Sequence, residues 1–174
     1  MESTLAYEEL VDLYSAQVYK FCQKLTFSKG DADDLFQDTF VKIFEQYAKL
    51  EATDNVLGFL FSSALYVWKS KKRKYARRKR IAHEQPLSVQ GVFAVSSQNV
   101  EEEFAAKEQA RAVREVVDGL GDKFKIPIIL HYTMEQNLNE IATTLDVPVG
   151  TVKSRLYKAR KLIEKGLKKN GYGY

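Results

Sequence analysis

A chain of 174 residues with 45% apolar content has material for one ordinary domain or two small ones with real cores. Its single cysteine, Cys22, excludes an intrachain disulfide framework and suits a reducing, cytoplasmic compartment; the polar N-terminus does not read as a signal peptide, and no uncharged apolar run of about 18 residues is present to span a membrane. The net charge of +4 is segregated: residues 1–56 and 81–150 each carry 11 acids against 5 bases, residues 69–80 carry nine bases and no acid, and residues 151–174 carry eight bases and one acid.

The periodicity predicts helix almost throughout. Leu10, Leu13, Tyr14, Val18, Phe21, Cys22 and Leu25 recur at helical spacing and form one apolar stripe. Cys22 on that stripe reads as a buried thiol rather than a nucleophile. Ser28-Lys29-Gly30 ends this helix, and Asp31 is expected to cap the next, with Asp33 and Asp34 set against the positive end of its dipole. Leu35, Phe36, Phe40, Ile43, Phe44, Tyr47 and Leu50 supply its core face. A third helix begins near Thr53-Asp54-Asn55 and runs through Arg80, apolar and aromatic at first and almost purely basic afterwards.

Residues 81–100 lose the period, and Pro86 and Gly91 mark a linker. Val100 to Leu120 is helical again, with Phe104, Ala112, Val113, Val116 and Leu120 toward a core. Asp122 is expected to cap the following helix, which Pro127 should kink or delay. Residues 138–163, LNEIATTLDVPVGTVKSRLYKARKLI, have the pattern of a helix-turn-helix. Asn139 is the expected N-cap, and Leu138, Ile141, Ala142 and Leu145 share one face. Asp146-Val147-Pro148 breaks the helix, and Pro148 suits the first turn of the second one. In that helix Val149, Val152, Leu156, Ala159 and Ile163 point inward, while Lys153, Ser154, Tyr157, Lys158 and Lys161 point outward. This outer face has no acid from Thr151 to Ile163, whereas a merely solvated face usually mixes signs. It is the face expected of a recognition helix in a DNA major groove.

The basic run Lys69, Lys71, Lys72, Arg73, Lys74, Arg77, Arg78, Lys79 and Arg80 is the second nucleic-acid signal, since each such cation that neutralises a phosphate releases counterions. Phe59, Phe61, Tyr66, Trp68 and Tyr75 lie within or just before it. The two phenylalanines are expected in the core, while Trp68 and Tyr75 are expected to meet unpaired bases. Nothing points to catalysis, metal or cofactor. His83 and His131 are isolated, Asp33, Asp34 and Asp38 have no acid-base partner, and no phosphate-cradling glycine loop occurs. The helix-turn-helix pattern taken alone also suits a free-standing regulator, although no β-α receiver domain precedes the motif, and a third reading is a helical adaptor that merely binds an acidic protein.

In this order and spacing, DADDLFQDTFVKIF and VPVGTVKSRLYKARKLI are similar to the polymerase-binding helix and the recognition helix of one family. The chain resembles, over nearly its whole length, the extracytoplasmic-function group of bacterial sigma factors, the smallest members of the sigma-70 family. The resemblance implies an all-α fold of two small helical domains: a region 2-like bundle over 1–80, a linker over 81–103 and a region 4-like helix-turn-helix domain over 104–174. It implies no enzyme activity but a subunit that joins core RNA polymerase, through its β′ and β subunits, and directs initiation at promoter DNA. Asp33, Asp34, Leu35, Gln37, Asp38 and Val41 fall where the family binds a β′ coiled coil. Tyr66, Trp68, Lys69, Lys72, Arg73 and Lys74 fall where it captures the melted −10 element. Lys153, Ser154, Tyr157 and Lys158 match the base-facing positions for the −35 element, with Thr151 and Arg155 on phosphates. An anti-sigma factor is a further implied partner. The sequence departs from the family's usual region 2 motif, with Phe59 for a Trp, Tyr66 for an Asn and Ser70 for an Asp, which implies an uncommon −10 readout.

Overall fold

The computed structural model describes residues 6–50, 53–82 and 102–172. All regular structure among them is helical, in two compact units, Met1–Phe93 and Ala94–Tyr174. The residues expected to form most of the linker, 83–101, lie outside the described residues.

In the first unit, α1 (Tyr7–Leu25), α2 (Lys29–Glu45) and α4 (Val56–Ala82) pack against one another, with the short α3 (Tyr47–Leu50) between α2 and α4 in the chain. Leu10, Val18, Phe21, Cys22 and Leu25 of α1 meet Leu35 and Ile43 of α2 and Leu60, Phe61, Ala64 and Leu65 of α4 in one core, where the Phe21 and Phe61 rings lie 4.7 Å apart. Leu13 is instead exposed, because it falls outside the stripe that Leu10, Val18, Phe21 and Leu25 define. The N-cap of α2 is Ser28 rather than Asp31. The Ser28 hydroxyl oxygen accepts the Asp31 N–H at 3.1 Å and donates to the Asp31 carboxylate at 2.7 Å. Gly30 therefore sits inside the first turn of α2 instead of ending the region before it. The apolar run expected to continue to Leu50 is interrupted at Gln46, whose N–H turns back to the Ile43 carbonyl. At the start of α4 the Asn55 side chain accepts the Gly58 N–H at 2.8 Å. A Cβ at Gly58 would come within 2.5 Å of that same side chain, so the cap needs the glycine.

In the second unit, α5 (Glu102–Asp118), α6 (Asp122–Ile128) and α7 (Leu138–Leu145) each pack on α8 (Val149–Lys169). Val152, Leu156 and Ala159 are buried, with Val149 and Ile163 half-buried. Phe104 lies on the exposed first half of α5, not in the core; the helix is covered only from Ala112 onward. Gly121 precedes α6 as its N-cap, so Asp122 is its first residue rather than its cap. Pro127 neither delays nor ends this helix. As the sixth of the seven residues of α6 it withdraws one N–H from the helix interior, and the backbone then widens into a π-helical turn over Ile129–Thr133, with Met134 N–H on the Ile129 carbonyl at 3.0 Å.

The N-cap of α7 is Asn137 rather than Asn139. Its side-chain oxygen accepts the N–H groups of Asn139 and Glu140, each at 3.0 Å, while the Glu140 carboxylate accepts the Asn137 N–H at 2.7 Å. This reciprocal capping box closes the first turn of the helix-turn-helix. Asp146 ends α7 in the left-handed region, φ 52°, a conformation that a short polar side chain tolerates. Pro148 stands just before α8 as its N-cap, one position earlier than expected, and its carbonyl accepts the Thr151 and Val152 N–H groups.

Candidate nucleic-acid and polymerase surfaces

The α7–α8 pair presents one outward face. Lys153, Ser154, Tyr157 and Lys158 are exposed on it, and Thr151 and Arg155 are half-buried at its flanks. The Ser154 hydroxyl donates to the Thr151 carbonyl at 3.0 Å, and the Lys161 ammonium lies 5.9 Å from the centre of the Tyr157 ring. Behind the face, buried Val152, Leu156 and Ala159 fix the helix to the unit. Two supports were not read from the sequence. Arg160 donates to the Tyr132 hydroxyl at 3.1 Å, tying α8 to the π-helical turn. Buried Gln136 accepts the Thr144 hydroxyl at 3.3 Å on its side chain, and its carbonyl lies 3.1 Å from His131 Nδ1, which therefore carries the proton. Among the described residues, the acid closest in sequence on α8 is Glu164, whose carboxyl is held below its ordinary pKa by the Lys168 hydrogen bond and the nearby Lys168 and Lys161 charges.

The second surface is α4. Phe61 is buried and Phe59 half-buried, in line with their expected core role. Trp68 is not a free stacking platform: it is 8% exposed, and the Lys72 ammonium covers its ring at 4.4 Å. It falls on the inward side of α4 with Leu65 and Ala64. Tyr66 and Tyr75 are the exposed aromatics, each with an ammonium at its ring, Lys42 at 5.7 Å and Lys79 at 5.6 Å. Lys69, Lys72, Arg73 and Lys74 are exposed, as is every residue from Lys72 to Arg78.

The third surface lies on α2. Asp34, Gln37, Asp38 and Val41 are exposed. Asp33 is half-buried and accepts the Tyr19 hydroxyl at 2.6 Å, a bond that raises the Tyr19 pKa. Leu35, which its spacing assigns to the core and the resemblance to this face, is a core residue, on the buried side of α2 with Ala32, Thr39 and Ile43. Asp34 and Asp38 both bond Lys71 of α4, the latter at 2.5 Å.

Beside this acidic face runs a groove of about 490 Å³ between α1 and α2, lined by Tyr7, Val11, Phe36, Gln37, Phe40, Val41 and Phe44. The Tyr7 hydroxyl donates to the Phe40 carbonyl at 3.0 Å, and its ring meets Phe44 edge-on at 5.2 Å. Phe44 is 66% exposed and Val41 60% exposed, so part of the stripe assigned to the core instead walls this groove. The signal available in the sequence was the width of that stripe: it covers more of α2 than one packing face can bury. Among the described residues no helix is long and apolar enough to cross a membrane, and no group of His, Cys, Asp or Glu is placed to hold a metal ion.

These surfaces coincide with family boundaries. Residues 10–78 match sigma-70 region 2, and residues 110–163 match sigma-70 region 4. The chain is 24% identical over 167 residues to the ECF RNA polymerase sigma factor SigW of Bacillus subtilis (strain 168), covering 94% of this chain and 89% of that protein. It is 26% identical over 172 residues to the ECF RNA polymerase sigma-E factor of Haemophilus influenzae, covering 91% of this chain and 86% of that one. Its fold matches the sigma factor RpoE of Bartonella quintana, solved in complex with the anti-sigma factor NepR, at a TM-score of 0.76 and 21% identity over 93% of this chain and 96% of that chain. A second match is CnrH, solved with the cytosolic domain of CnrY, at a TM-score of 0.62 and 19% identity over 94% and 88% of the two chains. Two sigma-70 regions in the family's order, on two helical units, place the chain in the sigma-70 family of RNA polymerase sigma factors, within its extracytoplasmic-function group.

Proposed function

We propose that this sigma factor joins core RNA polymerase and directs initiation by holding a promoter at two points, without catalysing a reaction itself. The observation that carries the reading is the outer face of α8, free of acids from Thr151 to Ile163, on a capped helix-turn-helix with a buried inner stripe. Lys153, Ser154, Tyr157 and Lys158 read −35 base edges in the major groove, and Thr151 and Arg155 take the adjoining phosphates. On α4, Lys69, Lys72, Arg73 and Lys74 follow the backbone of the melted −10 strand, and Tyr66 offers the exposed ring on which an unpaired base stacks. Trp68 supports that surface from beneath rather than stacking on the strand. Asp34, Gln37, Asp38 and Val41, with Asp33 behind them, bind the β′ subunit.

In this assignment residues 1–80 serve polymerase and the −10 element, residues 104–174 serve the −35 element, and residues 81–103 join them. The partners are core polymerase, promoter DNA and an anti-sigma factor, as in the matched Bartonella quintana complex. The site of action is the cytoplasm, where polymerase works. Genome-wide run-off transcription with the reconstituted holoenzyme tests this directly. Initiation at a set of promoters sharing −35 and −10 elements is the expected result. A chain that neither joins core polymerase nor redirects initiation defeats the proposal.

A further inference from the structure

Lys71 stands in the middle of the basic run and yet faces away from it. Its ammonium bonds two carboxylates of α2 that lie one helical turn apart, Asp34 and Asp38. Partial burial opposes its charge, but the hydrogen bonds to Asp34 and Asp38 outweigh that and hold it above the ordinary lysine pKa, so the group is a full cation. Lys69, Arg73, Lys74, Arg77, Arg78 and Arg80 on the same helix form no ion pair among the described residues. One cation of the track is therefore neutralised by the very carboxylates assigned above to polymerase.

We infer that Lys71 is a nucleic-acid cation held in reserve: Asp34 and Asp38 withhold it from the phosphate track of α4 in the free chain, and a basic partner that takes those carboxylates releases it to the strand. Two aspartates at i and i+4 repel each other, and the single ammonium between them leaves the cluster with a net charge of −1. A basic surface that engages both carboxylates can replace Lys71 there. The exchange is easy, because ion pairs this exposed are weak and Lys71 rides on a flexible four-carbon stem. Once released, it lies one turn from Lys74 and Tyr75 and joins the cations already exposed there. Polymerase binding and strand binding then assist each other, and linkage makes the help mutual. The inference rests on the strand-capture role proposed for α4.

The test is the salt dependence with which the full chain binds a labelled, mixed-sequence single-stranded DNA of about 20 nucleotides. Each phosphate contact contributes a slope of about −0.7 on single strands in a plot of log K against log salt. Four proteins of matched helical content by circular dichroism are compared: the unaltered chain, Lys71→Gln, the Asp34→Asn/Asp38→Asn pair, and the triple variant. Lys71→Gln should leave the slope unchanged. The double asparagine variant should steepen it by about 0.7, and the triple variant should lose that gain. A flatter slope in Lys71→Gln alone would show Lys71 already on the strand and overturn the inference, as would an unchanged slope in the double variant. If none of the four binds the DNA, strand capture by α4 fails first and takes this inference with it.

Discussion

Lys153 and Tyr157 sit one turn apart on the exposed side of α8, while Arg155 is half-buried at its flank. In the proposed assignment the first two read bases and the third holds a phosphate. Lys153→Ala and Tyr157→Ala should each change binding by about 1 to 3 kcal/mol at particular −35 positions and relax preference there. Arg155→Ala should weaken all promoters alike and reduce the salt slope by about 1. Binding of the holoenzyme to a library of −35 variants distinguishes the two, and a uniform loss for Lys153→Ala would move that residue to the backbone. Cys22 illustrates the opposite kind of residue. It is fully buried, and burial pushes its thiol from the ordinary value near 9 up to about 12. The folded chain should therefore resist iodoacetamide at pH 8 and react promptly in urea. Because the folded pKa is the higher one, the unfolded chain gives up this proton first. The Cys22 contribution to stability is full below pH 9 and declines as pH rises toward 12, which urea titrations across that range would register as a falling midpoint. Fast alkylation of the folded chain at pH 8 would contradict the burial.

Two helices meet closely where α5 crosses α8. A Cβ at Gly166 would come within 2.7 Å of the Val116 side chain, so the pair packs because position 166 has none. Gly166→Ala gains up to about 1 kcal/mol in helix propensity but overpacks this contact by about 1 to 3 kcal/mol. The net effect should be destabilising in the unaltered chain and stabilising when Val116→Ala is also present. Urea unfolding of the four proteins of this cycle reads the sign change, and a Gly166→Ala that stabilises without the second change would show the crossing to be looser than described. Elements of this kind divide what the sequence made legible from what it hid. The inward stripe of α8, the break at Asp146 and the span of α4 were readable because each is written in local spacing. Caps were misread by two or three residues at Asn137 and Ser28, because Asn and Asp recur nearby and only the hydrogen bonds choose among them. Spacing places Trp68 outward and Leu13, Phe44 and Phe104 inward, and the family resemblance alone places Leu35 on the binding face. For those read from spacing, tertiary packing, not period, decides which edge of a stripe is covered. The Lys71 bridge joins residues 37 and 33 positions apart, so no local pattern could announce it.

At the scale of the whole chain, the charge map gains a structural meaning. The acids of residues 1–56 and the bases of residues 69–80 belong to one unit, where α2 and α4 pack together, whereas the bases after 151 belong to the other. Each proposed DNA surface thus stands on its own core. Two anchors joined by a chain multiply their binding constants through an effective concentration, so moderate losses at each should add as free energies. Lys153→Ala on α8 and Arg73→Ala on α4 offer the test, since they lie in separate units and have no ion pair in common among the described residues. Holoenzyme affinity for one promoter, measured for the two single variants and the double, should give a coupling of no more than about 0.5 kcal/mol. A larger coupling would mean that the two units seize the promoter as one body. A double variant no worse than the weaker single one would mean that the second anchor engages only after the first.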